Sequence, residues 1–371
     1  MDSTTNYRII IDIVMLMLND GSFYYTQDKK IFLSKIEALS YSQKSNQKLF
    51  FHYYDDVYDK CNWLIEPPES IDYYYKEQAQ RIRDNYDYII LCYSGGYDSH
   101  NILETFYYNN IKIDKIVTIG ALKQDSQSGV DENHNGELYH NVFPNVKELN
   151  LESITQVYDY TDLFDNINNF SIVEYGTDWI NHTGSWYSPH NWFWMDIHKR
   201  IVPKKWGDKK VAIVMGRDKP TLFLNHSLNK LGFFFRDTPI TSYGNLKGDE
   251  QSHIINFYWD PTIPEILIKQ LHMIHHVYRD KPIIDYNKSV GVNTYNGIDV
   301  NDIIYNIKKP LIFKSPKSKN NYFSLRDEYL KHKQNSDLYK IYSDGISLID
   351  KTVDLKNLVA IQSKFYGMFD V

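Results

Sequence analysis

Residues 88–106, YIILCYSGGYDSHNILETF, decide the fold. The apolar run Tyr88 to Tyr93 reads as a buried strand. Ser94-Gly95-Gly96-Tyr97-Asp98-Ser99 follows as a tight turn, and Ser99 to Phe106 has the spacing of an opening helix. A strand, a Gly-Gly turn and a helix N-terminus in succession form an anion cradle: glycines let consecutive N–H groups face one point, and the helix adds unsatisfied donors and its positive dipole end. A phosphate or pyrophosphate is the natural guest. The loop is not a Walker A, which needs four residues between its glycines and a lysine after the second, whereas Tyr97 and Asp98 stand here. A plain N-cap at Asp98 or Ser99 accounts for less, because a turn alone does not call for both serines and both glycines.

Working outward, the 371 residues allow two or three units, and 42% hydrophobic content is ample for a sizeable core. The longest apolar stretch, Ile9 to Leu18, is interrupted by Asp12 and is too short to cross a bilayer, so no membrane or export segment is expected. Two cysteines, Cys61 and Cys92, cannot build a disulfide framework or a four-thiolate metal site, which points to a reducing, cytoplasmic setting. A formal charge of −6 gives no general attraction to nucleic acid, so the expected substrate is a small molecule.

Before the cradle, Phe23-Tyr24-Tyr25 and Ile31-Phe32-Leu33 flank a polar turn and predict a hairpin, with Leu49 to Tyr53 as a third strand. Pro67-Pro68 marks a linker, and Tyr73 to Arg83 predicts a helix leading into Tyr88 to Tyr93. After the cradle come further expected strands: Lys115 to Ile119, ending in Gly120-Ala121; Val146 to Leu151; and Lys209 to Met215, followed by Gly216-Arg217-Asp218-Lys219-Pro220. Alternating strands and helices predict an α/β, doubly wound, mostly parallel sheet with its ligand at the carboxyl edge of the strands. Arg217 and Lys219 follow a strand at that edge and are candidate phosphate contacts. The apolar spacing of Ile263, Leu267, Leu271 and Ile274 predicts an amphipathic helix over 263–277. On it, His272 and His276 are four residues apart, a spacing that can bind metal; with no glutamate in the H-E-x-x-H position and no third ligand in view, a surface or core-edge helix is the reading.

The string S-G-G-Y-D-S resembles S-G-G-x-D-S, the pyrophosphate-binding loop of the ATP pyrophosphatase (PP-loop) family, which includes asparagine, GMP, NAD and tRNA-lysidine synthetases. The resemblance is closest to the synthetase domain of asparagine synthetases. It implies a HUP-like (adenine nucleotide alpha hydrolase-like) fold in three parts: a small N-terminal β-containing unit (1–82), an ATP-binding domain (83–235) and a mostly helical C-terminal extension (236–371). The N-terminal stretch is similar to the last hairpin of the family's glutaminase domain. It is too short for that whole domain, and the chain opens Met1-Asp2-Ser3, without the nucleophilic cysteine, so this chain is not expected to hydrolyse glutamine.

The resemblance further implies ATP and Mg²⁺ as ligands. Ser94, Gly95, Gly96, Tyr97 and Ser99 would line the pyrophosphate, Ile119 and Gly120 the adenine, and Asp98 the metal. In asparagine synthetases a strand is followed by G-[DE]-G-A-D-E; only Gly216 and Asp218 have counterparts here, with Asp218 a second metal ligand and Arg217 or Lys219 supplying charge that a Walker lysine carries elsewhere. The expected activity is AMP-forming: adenylation of a small carboxylate or amide, then attack by free ammonia, an amine substrate or nitrogen from a separate donor. An adenylating RNA-modification enzyme and a non-catalytic ATP-binding protein are the alternatives.

Overall fold

A computed structural model describes residues 22–120, 136–159, 176–177, 208–216, 221–225, 230–237, 252–278, 294–295, 298–308, 311, 337–347 and 361–370. Strands β1 (Ser22–Thr26) and β2 (Ile31–Phe32) form the predicted hairpin, helix α1 (Lys35–Ser45) follows, and β3 (Leu49–Tyr53) pairs antiparallel with β1, giving the order β2-β1-β3. A short helix α2 (Asp55–Tyr58) precedes the proline linker. Ser70 then caps α3 (Ile71–Asn85) by accepting from the N–H of Tyr73 at 3.2 Å. Ile71, Tyr74, Tyr75, Gln78, Ala79 and Ile82 recur every three or four residues and form its buried face.

The central layer begins with β4 (Tyr88–Cys92), α4 (Tyr97–Tyr108) and β5 (Lys115–Gly120). A π-helical turn, Leu138–Val142, runs into α5 (Phe143–Glu148), and β6 (Thr155–Asp159) follows. Strand β7 (Val211–Met215) is buried throughout, as expected of a parallel strand covered on both faces. Next come β8 (Thr221–Asn225), β9 (Lys230–Phe234) and β10 (Ser252–Asn256). The remainder comprises α6 (Glu265–Tyr278), the two-residue strands β11 (Thr294–Tyr295) and β12 (Ile298–Asp299), α7 (Val300–Ile304), α8 (Asp337–Ser347) and β13 (Tyr366–Asp370).

Five strands in the order β10-β7-β4-β5-β6 form one sheet, and every pairing in it is parallel. With helices packed against it, this is the expected α/β arrangement. The chain moves outward from β4 through β5 to β6, then returns to place β7 on the other side of β4. Strand direction of progress therefore reverses between β4 and β7, and the crevice at their carboxyl ends is the usual ligand position in such sheets. The sheet takes its fifth strand from residues 252–256, beyond the expected boundary at 235.

One expectation fails. Val146 to Leu151 is not the third strand: Phe143–Glu148 is helical with Pro144 in its first turn, and the strand is Thr155–Asp159. Leu138, Val142 and Val146 are all buried at a spacing of four, so the apolar pattern that suggests a strand over six residues is one face of a longer helical segment.

The N-terminal sheet shares the core with the rest of the chain. Lys35 and Asp237, both buried, pair at 2.7 Å, and Asp237 also accepts from the Tyr24 hydroxyl at 3.0 Å and the Ile361 N–H at 2.8 Å. Strand β9 lies between β8 and β13 in an antiparallel sheet, whose Phe233 packs on Trp63. Among the described residues, no helix is long and apolar enough to cross a membrane.

Candidate functional site

Strand β4 delivers the chain to Tyr93, and Ser94 to Gly96 turn it into α4. Gly95 has φ +82°, and a β-carbon there would stand 2.8 Å from Val142 Cγ2 and 3.0 Å from the Glu137 carbonyl oxygen. Only glycine meets both demands. The Asn141 side chain donates to the Gly95 carbonyl at 3.1 Å, fixing the peptide from the π-helical turn. Gly96 is the N-cap of α4 and has no side chain to satisfy the first-turn N–H groups, so that end of the helix is shaped by the loop rather than by a capping side chain.

The serines tie the loop together. The Ser94 N–H donates to Ser99 Oγ at 3.1 Å, the two hydroxyls are 3.1 Å apart, and Ser99 Oγ donates to the Gly96 carbonyl at 3.2 Å. The Gly96 N–H donates to Ser94 Oγ at 3.3 Å. Ser94 is exposed at the mouth, whereas Ser99 is buried and braces the turn. Two of the expected donors, the N–H groups of Ser94 and Gly96, are thus satisfied inside the loop.

Asp98 lies in the first turn of α4 and is half-buried. Its backbone carbonyl accepts from the Tyr258 hydroxyl at 2.7 Å, and its Oδ1 accepts from the Tyr305 hydroxyl. Asn101, one helical turn on, donates to the Tyr258 oxygen at 3.0 Å. Burial pushes both phenols well above the ordinary tyrosine range, and the Asp98 charge adds to the effect, so both remain donors. Tyr258 follows β10 and Tyr305 follows α7, so two distant segments converge on one aspartate.

Gly216, at the end of β7, closes the crevice from the other side. A β-carbon there would stand 2.8 Å from the carbonyl carbon of Asp98 and 2.8 Å from the nitrogen of Ser99. Gly216 therefore lies against the first turn of α4, as the switch-point topology requires. Ile119 and Gly120 end β5, both buried, with Gly120 level with Asp159 of β6. Because Cys92 pairs with Val117, β5 runs past the end of β4 and puts Ile119 and Gly120 beside the cradle. Arg217, Asp218 and Lys219 lie outside the described residues.

Below the loop is a buried polar chain: Asn145 donates to the Tyr93 hydroxyl at 3.1 Å, which lies 2.9 Å from His100 Nδ1, and His100 Nε2 is 3.6 Å from Glu104. It anchors α4 and α5 to the strand end that carries the loop. Glu137 adds a carboxylate that the motif does not contain: its Oε1 lies 3.8 Å from where a Gly96 β-carbon would be. Two acidic groups, Asp98 and Glu137, thus lie beside the glycine loop, and carboxylate oxygens of this kind are able to hold a divalent cation. Tyr258, Tyr305, Asn141 and Glu137 carry no local sequence signal that marks them, since each reaches the loop only through the fold.

No protein-family model matches the chain, and no curated protein matches it.

Proposed function

We propose that this chain is an ATP-dependent, AMP-forming synthetase of the PP-loop type, with a HUP-like nucleotide domain most similar to that of asparagine synthetases. The observation that carries the reading is the S-G-G-Y-D-S loop at the switch point of a parallel sheet, with Gly95 held at positive φ where no β-carbon fits. Fold alone would not support it, since doubly wound sheets serve many chemistries.

In this reading an oxygen of a small carboxylate or amide attacks the α-phosphorus of ATP. The bond from that phosphorus to the bridging oxygen breaks, and pyrophosphate leaves with the electron pair. Ammonia or an amine then attacks the activated carbon, AMP departs, and the amine loses a proton. The protein's part is alignment and charge neutralisation of the leaving group. Ser94, Gly95, Gly96, Tyr97 and Ser99 surround the pyrophosphate, and Ile119 with Gly120 packs against the adenine. Asp98 and Asp218 would hold Mg²⁺, and Arg217 and Lys219 would supply positive charge. When bound, Mg²⁺ neutralises phosphate charge. The setting is cytoplasmic, and nitrogen comes from free ammonia, an amine or a separate donor protein.

The test is ATP–pyrophosphate exchange by the purified chain with fractionated small-metabolite pools. Exchange that depends on one fraction, with AMP as product, is expected; stoichiometric ADP would overturn the reading. A second reading, a protein that binds ATP without turning it over, is favoured by one observation: Tyr305 engages the Asp98 carboxylate on which the chemistry depends. ATP binding without exchange in any fraction would select it.

A further inference from the structure

On the sequence alone, His272 and His276 form a pair without a third ligand. Folding supplies one. Glu66, from the linker between α2 and α3, meets the pair on α6, and one ligand atom from each of the three residues lies within 4.8 Å of the others. We propose that Glu66, His272 and His276 form a three-ligand site for a divalent transition metal, of which zinc is the best chemical match.

The spacing and chemistry agree. Residues four apart on a helix share a face, and the two imidazole rings are 6.2 Å apart between centroids. Zinc prefers imidazole nitrogen and carboxylate oxygen at about 2.0–2.2 Å, which puts ligand atoms about 3.3–3.6 Å apart in a tetrahedral site. Side-chain rotation covers the difference from 4.8 Å. Glu66 Oε2 and His276 Nε2 already share a proton at 2.8 Å, and metal binding replaces that proton, which passes to water.

The surroundings hold the ligands as supporting groups do around metal sites. Lys269 Nζ donates to Glu66 Oε1 at 2.7 Å and to the Pro67 carbonyl at 3.0 Å, engaging one oxygen while Oε2 faces His276. The His272 ring is held by Nε2 donating to the Trp63 carbonyl at 3.0 Å and by an edge-on contact with Phe369. Its other nitrogen then carries the lone pair. His275 points elsewhere, to the carbonyl of Asp370 at 3.0 Å. Three protein ligands leave a fourth position for water. The metal would fasten the linker, and with it the N-terminal sheet, to α6.

The experiment uses the full chain stripped with chelator, titrated with Zn²⁺ by calorimetry and with Co²⁺ by visible absorption, beside Glu66→Gln, His276→Ala and His275→Ala. Glu66 and His276 are partly exposed, with side chains 35% and 45% accessible, so these variants are expected to fold. The proposal predicts one equivalent bound by the wild type and His275→Ala. Glu66→Gln and His276→Ala should bind that equivalent at least tenfold more weakly. A metal-dependent rise in melting temperature should follow the same pattern. If Glu66→Gln and His276→Ala bind metal as the wild type does, or if the wild type binds none, the three residues are an ion-pair network and the proposal fails.

Discussion

Gly216 leaves no room between β7 and α4: a β-carbon on it would stand 2.8 Å from the carbonyl carbon of Asp98. The Ser99 nitrogen is equally close, and both atoms are backbone, so neither can rotate aside. Gly216→Ala must therefore displace the first turn of α4, which carries Asp98 and Ser99. Overpacking of this kind costs about 1–3 kcal/mol. We expect a lower urea midpoint together with weaker ATP binding. Wild-type values for both would mean that the contact does not position the loop.

Asp98 and Tyr305 should behave as a coupled pair. Asp98→Ala leaves a buried phenol without its acceptor, a loss of about 1–3 kcal/mol in addition to the loss of ATP–pyrophosphate exchange. In the double variant Asp98→Ala, Tyr305→Phe the orphaned hydroxyl is gone, and part of that stability returns. A double-mutant cycle in urea should give a coupling energy of about 0.5–3 kcal/mol. Strict additivity would contradict the hydrogen bond.

The loop after β7 carries a separate prediction. If Asp218 and Lys219 meet the phosphates at the switch point, Asp218→Asn and Lys219→Ala should each lower adenylation about 10²-fold, the scale of one lost charge contact in a transition state. Rates within twofold of wild type would remove both from the site.

Alkali should unfold this protein through its tyrosines. Burial raises the phenols of Tyr58, Tyr75, Tyr258 and Tyr305 well above the ordinary value. In the unfolded chain each ionises near pH 10, whereas in the folded chain each keeps its proton beyond that point. Protons bound in the folded state then exceed those in the unfolded state, so their contribution is complete below about pH 10 and is lost as the pH climbs toward the folded values. Urea midpoints measured from pH 8 to 11.5 should be level at first and fall above about 10. Replacing Tyr305 by Phe should make the fall shallower, and a flat profile would contradict these assignments.

The strand–loop–helix unit was legible because its signals are local: an unbroken apolar run, two adjacent glycines and a helical pattern lie within 88–106. The same was true of the hairpin at Phe23 to Leu33 and of helix α6. The third strand was misplaced because Val146 and Leu151 satisfy a strand pattern over a short window, whereas the four-residue spacing back through Val142 to Leu138 is visible only over a longer one. Tyr258 and Tyr305 could not be singled out among 32 tyrosines, and their role depends on two segments folding onto Asp98. Glu66 likewise joins His276 only across about two hundred residues of chain.

The central claim is that the loop from Ser94 to Ser99 holds the pyrophosphate moiety of ATP, and it can be tested without knowing the second substrate. Calorimetric titration of the purified chain with ATP in excess Mg²⁺ should show one site. Inorganic pyrophosphate should compete for it, and Gly95→Ala, which places a β-carbon against Val142 at positive φ, should abolish it in a chain that still folds. ATP binding that pyrophosphate does not displace and that Gly95→Ala leaves intact, or no ATP binding by the wild type, would contradict the account.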